Sequence, residues 1–148
     1  MIKFLSVLIL LISSSYLVIG QQLSEKEMVG FGCGNSGRYT KPVEQSLKLL
    51  KEKNYAAIKK NLSSDNSAKQ FLAVIVLIQL NKNGDVFLGY NEFSKIYAVM
   101  SSHKKVAYCS GCSMWDEPTL QEVLDEENGH PMLSEANYSI AELIAEGE

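Results

Sequence analysis

No run of Lys and Arg long enough to track a phosphate backbone occurs in the 148 residues, which argues against nucleic acid as a partner. From Asp116 to the end, Lys and Arg are missing altogether, while that stretch holds ten Asp and Glu. A solvated acidic face accounts for such a segment. Only two histidines are present, His103 and His130, and no Ser/His/Asp or Cys/His pairing can be argued from residues so scattered. No apolar run reaches the roughly 20 residues a membrane-spanning helix needs. The longest candidate, Phe4 to Ile19, is 16 residues, or about 24 Å as a helix, and carries Ser6 and Ser13 to Ser15. No spelled-out repeat of long period is found.

What the N-terminus does hold is an ordered set of export features. Lys3 supplies the positive charge, Phe4 to Ile12 the apolar stretch, and Val18 and Gly20 a small-residue cleavage site before Gln21. Residues 1–20 therefore read as a cleavable signal peptide, leaving no stable membrane anchor after cleavage. Gln21 stands where a lipoprotein would need cysteine. Export predicts a secreted or periplasmic protein and an oxidising compartment. Removing Lys3 leaves 13 basic against 17 acidic residues, a net charge of −4. Residues 21–148 amount to one domain's worth of chain.

Residues 21–42 hold Gly30, Gly32, Gly34 and Gly37 without apolar periodicity and read as an irregular glycine-rich arm. Gly32-Cys-Gly34-Asn-Ser-Gly37 spells a dinucleotide fingerprint, but no buried strand precedes it, so a plain loop is expected. From Pro42, Val43, Leu47 and Leu50 fall at helical spacing. Tyr55, Ile58 and Leu62 mark a second helix, with Asp65 or Ser67 capping a third. Phe71 to Ile78 is an unbroken apolar run whose length and lead-in favour a central helix. Phe93, Ile96, Tyr97 and Met100 form another helical stripe, followed by a connector over Lys104 to Tyr108. Asp116 is expected to cap a helix bearing Leu120, Val123 and Leu124; Ser134 caps the last, with Ile140, Leu143 and Ile144 inward. These elements predict an all-α fold: one small bundle or helical-repeat-like domain of about five or six helices over residues 43–148.

Asn81, Asn83, Asp85, Phe87, Gly89 and Glu92 occupy positions one, three, five, seven, nine and twelve of a loop flanked by two predicted helices. Leu88 and Phe93 add apolar residues after the seventh and twelfth positions. The stretch resembles an EF-hand, which implies calcium held by oxygens of Asn81, Asn83 and Asp85, the Phe87 carbonyl and Glu92. It departs from that family at Asn81, where Asp is usual, and at Val86, where the sharp turn calls for Gly. With only two carboxylates, any site is expected to be weak, and a polar turn is the competing reading.

The third group is the cysteines. Cys109-Ser-Gly-Cys112 is a C-x-x-C, but the strand–helix–strand context of a redox motif is missing. An odd count in an exported chain predicts one structural disulfide and one thiol left over. Cys33 joined to Cys109 or Cys112 would pin the arm; Cys109 closing on Cys112 is the alternative. Zinc would need all three cysteines plus His103 or His130, with only one paired spacing, and is not expected. Asn61-Leu-Ser63 and Asn137-Tyr-Ser139 match the glycosylation pattern of eukaryotic secretion. The expectation is an exported, non-catalytic binding or scaffolding module whose partner is another protein, with weak calcium binding or thiol–disulfide chemistry as alternatives.

Overall fold

The computed structural model describes residues 27–111 and 114–146; the predicted signal peptide lies outside them. In chain order the elements are β1 (Met28–Val29), α1 (Lys41–Lys51), α2 (Tyr55–Asn61), α3 (Ser67–Asn83), α4 (Tyr90–Met100), β2 (Ala107–Ser110), β3 (Met114–Asp116), α5 (Leu120–Leu124), a 3-10 turn (Glu126–Asn128) and α6 (Pro131–Glu146). The helices carry most of the fold, but the expected all-α class is corrected by a mixed three-stranded sheet. In it β2 is central, parallel to β1 (Met28↔Ala107, Val29↔Tyr108) and antiparallel to β3 (Tyr108↔Asp116, Cys109↔Trp115). Strands of two to four residues are too short to display alternation, so periodicity could not announce them.

The apolar run proves to be the centre. α3 buries Phe71 through Leu77 and Leu80, and α1, α2, α4, α5 and α6 all pack against it. An element buried on nearly every side has no polar face to display, which is why its sequence shows no amphipathic stripe. Burying each Leu, Ile, Val or Phe stabilises by roughly 1.5–3 kcal/mol. Asn66, rather than Asp65 or Ser67, caps α3: its Oδ1 accepts from Lys69 N at 3.1 Å. Gly84 ends α3 at φ 85°, a left-handed position suited to glycine. α1 begins as expected around Pro42 and buries Val43, Leu47 and Leu50.

Two predicted caps move. Thr119 caps α5, its Oγ1 accepting from Glu122 N at 3.2 Å while the Glu122 carboxylate accepts from Thr119 N at 2.8 Å. This reciprocal capping box displaces Asp116, which lies in β3. α6 starts at Pro131, ahead of Ser134, because proline suits a first helical turn. It buries Met132, Leu133, Ala136, Ile140 and Ile144.

The described part of the glycine-rich arm is built into the sheet. Thr40 Oγ1 donates to Met28 O at 2.7 Å, and Thr40 N donates to Gly30 O at 3.0 Å. Gly34 N donates to Gly111 O and Gly111 N to Gly32 O, at 3.0 and 2.8 Å. No helix among the described residues is long and apolar enough to cross a membrane.

Candidate functional site

At the predicted calcium loop the structure places a lysine. Lys59, on α2, extends its Nζ to Glu92 Oε1 at 3.1 Å and to the Phe87 carbonyl at 3.3 Å. These are the seventh- and twelfth-position oxygens of the EF-hand resemblance. The first-position oxygen is also engaged: Asn81 Oδ1 accepts from Leu88 N at 3.3 Å. Asn83 is the last residue of α3, and both it and Asp85 are exposed. Glu92 meanwhile caps α4, its Oε2 accepting from Gly89 N at 3.1 Å. The Lys59 ammonium beside it, together with backbone amides, holds its carboxyl below the ordinary value. Among the described residues no three His, Cys, Asp or Glu side chains are grouped so as to hold a metal ion.

A disulfide joins Cys33 to Cys109 with Cα atoms 5.7 Å apart, within the usual range. It fastens the arm to β2, one of the two long-range pairings expected, and it takes both sulfurs away from thiolate chemistry. Cys109 is therefore not closed on Cys112, which lies outside the described residues. The disulfide also explains Gly30. A Cβ there would collide with Cys33 Sγ and stand 2.8 Å from Cys109 Sγ and 2.9 Å from the Cys109 carbonyl oxygen.

Beside the sheet sit four polar side chains that sequence reasoning did not assemble. The buried Tyr108 hydroxyl donates to Glu135 Oε2 at 2.7 Å. Burial, reinforced by that carboxylate, pushes its pKa up to about 12. His130 stands edge-on to the Tyr108 ring at 5.9 Å. Its Nδ1 accepts from Met132 N at 3.2 Å, which leaves Nε2 to donate to Asp116 Oδ2 at 3.2 Å. His130 and Glu135 belong to the segment around the start of α6, and Asp116 and Tyr108 to adjacent strands, so only the tertiary fold brings them together.

The feature that stands out on the surface is α4. Ile96 and Val99 face the core. Tyr90, Phe93, Tyr97 and Met100 share the flank next to theirs and are 87, 49, 73 and 36% exposed in that order, and Phe87, just before the helix, is 87% exposed. The spacing predicted an apolar stripe here. What it did not show is that Ile96 and Val99 take the core-facing side, leaving the larger rings in solvent. Met100 also borders a cleft of about 460 Å³ between α3, α4 and α6, floored by Val74, Ile75 and Ile78. The far wall is held in place by Gln79, whose Nε2 donates at 3.0 Å to both Asn137 O and Asn137 Oδ1.

No family model, curated protein or solved structure matches the chain.

Proposed function

We propose that this chain is an exported, non-catalytic binding module whose contact surface is the aromatic flank of α4 and the cleft beside it. The observation that carries the reading is the row of Phe87, Tyr90, Phe93 and Tyr97, all exposed together. Isolated exposed apolar residues are ordinary; contiguous apolar patches mark interaction sites, and tyrosine and phenylalanine are enriched where proteins meet. The state of Tyr108 fits a structural rather than an acid–base role for that side chain. The Tyr108 hydroxyl is tied to Glu135 and raised to about 12, far from the range useful near neutral pH. Export is supported by the arrangement of residues 1–20 together with the Cys33–Cys109 disulfide, a bond that persists in oxidising compartments.

A photo-crosslinking residue placed at Tyr97 in the exporting cell tests the reading. Discrete adducts are expected from Tyr97 and none from Lys95, which lies outside the aromatic row. Absence of any adduct at Tyr97 sinks the proposal.

A further inference from the structure

We infer that the occupant of the aromatic flank is a second copy of the same chain, paired through α4 in antiparallel fashion about a two-fold axis. The inference rests on the binding-module reading and adds the partner's identity. It starts from the register of the exposed residues. Reversing the sequence about a point between Phe93 and Ser94 exchanges Tyr90 with Tyr97 and Phe87 with Met100. A two-fold axis passing beside α4 at that level brings Tyr90 of one copy opposite Tyr97 of the other and sets the two Phe93 rings next to each other at the axis. A symmetric interface demands this self-complementarity, in which residue i meets j and j meets i.

Charge permits the same arrangement. At 100° per residue, Tyr90, Phe93, Tyr97 and Met100 span about a quarter of the helix circumference, and the residues adjoining that sector are Ser94 and Ser101. Glu92 and Lys95 lie outside it, Glu92 being already paired with Lys59. Two copies can therefore approach face to face without setting like charges against each other. Within that sector of α4 a strongly charged partner finds no counter-charge.

Area sets the strength. At their observed exposures, the five side chains present on the order of 650 Å² per copy, taking roughly 200 Å² for each full side chain. A standard stable interface takes about 800 Å² from each partner. Even with all of it covered, the pairing reaches only the small end of the stable class, so a weak dimer, dissociating at about micromolar concentration or above, is expected.

Sedimentation of the purified exported protein between about 1 and 300 µM tests this, a range that brackets such an affinity. The expected result is a concentration-dependent species of twice the chain mass. Tyr90→Glu with Tyr97→Glu should weaken it at least about tenfold. Both positions are exposed, and an unchanged circular dichroism melt shows that the variant still folds. The geometry is tested separately in a Cys112→Ser background, which removes the third cysteine. Phe93→Cys, beside the axis, should form a disulfide-linked dimer on mild oxidation, whereas Lys95→Cys, on the far side of the helix, should not. A protein that stays monomeric throughout, or a dimer untouched by the double substitution, overturns the inference. Tyr90→Cys linking to itself as readily as Phe93→Cys overturns the antiparallel arrangement. Monomers whose Tyr97 crosslinker captures a different protein, or that bind phosphatidylcholine vesicles through this flank, refute the second copy while the binding-module reading stands.

Discussion

The ammonium of Lys59 holds Glu92 and the Phe87 carbonyl together, so one side chain governs both the acid response of the turn and its answer to cations. Glu92 has its carboxyl lowered from an ordinary value of 4.5, first by the Lys59 hydrogen bond. A lowered folded-state pKa contributes stability that is present above the unfolded value and disappears as pH falls through the folded one. Glu92→Gln should therefore destabilise at pH 7 in urea titrations, with the difference from wild type shrinking below pH 4.5. An equal difference at pH 3 and pH 7 would show that the ion pair is not its source. The same geometry bears on calcium: calorimetry at millimolar calcium is expected to show no saturable heat, because an ammonium already takes two of the loop's oxygens. Saturable heat abolished by Glu92→Ala would reverse that. Tyr108 works in the opposite pH range. Its pKa rises from 10.0 to about 12 on folding, so its contribution is complete below pH 10 and is lost as pH climbs through 12. Tyr108→Phe should cost about 1–2 kcal/mol near neutrality through the lost Glu135 bond. It should also flatten the alkaline limb of the stability profile, which chemical denaturation at pH 8 and above would show.

At the scale of elements, what the sequence disclosed depended on whether the decisive contacts were local. α1 was legible because Pro42 and the Val43, Leu47, Leu50 spacing are contained within one helix. α3 was legible from its lead-in and length: the eight-residue apolar run Phe71 to Ile78, with Ala68-Lys69-Gln70 before it and Gln79-Leu80 after, makes a segment longer than an ordinary strand. The cap of α5 could have been read correctly, since Thr119-Leu-Gln-Glu122 is itself a capping-box pattern, whereas Asp116 lacks the acidic partner three residues on. β1 could not, because Met28 and Val29 acquire strand character only by pairing with Ala107 and Tyr108, far along the chain. The same nonlocality hid the Tyr108–Glu135 contact. Gly30 ties this sheet to the disulfide, and its need for a bare Cα is a tertiary fact as well. Gly30→Ala is expected to destabilise the oxidised protein by about 1–3 kcal/mol, the usual range for forcing an extra methyl into packed surroundings. A melting temperature equal to wild type would mean that the arm can shift away from Cys109 without cost. The disulfide itself closes a long loop, with 76 residues separating its cysteines. Chain entropy alone assigns such a cross-link about 4 kcal/mol.

At the scale of the whole molecule, charge and apolar surface are laid out separately. Every Lys and Arg lies at or before Lys105, and the segment from Asp116 onward is acidic, yet the exposed flank of α4 carries no charge. Two modes of association therefore predict opposite responses to salt. If copies met by matching the basic part of one chain to the acidic end of another, screening would weaken the dimer steeply between about 0.05 and 0.5 M salt, as the Debye length drops below 10 Å. Pairing through the rings of Phe87, Tyr90, Phe93 and Tyr97 places no ion pair at the contact. The only long-range term is then the mild repulsion between two chains of net negative charge, which salt relieves. The dimer should hold or tighten slightly across that range, strengthen in sulfate, and loosen on cooling, as apolar burial does. Sedimentation at two sodium chloride concentrations and two temperatures distinguishes the cases. A dissociation constant rising tenfold with salt would move the interface from the aromatic flank to the charged ends of the chain.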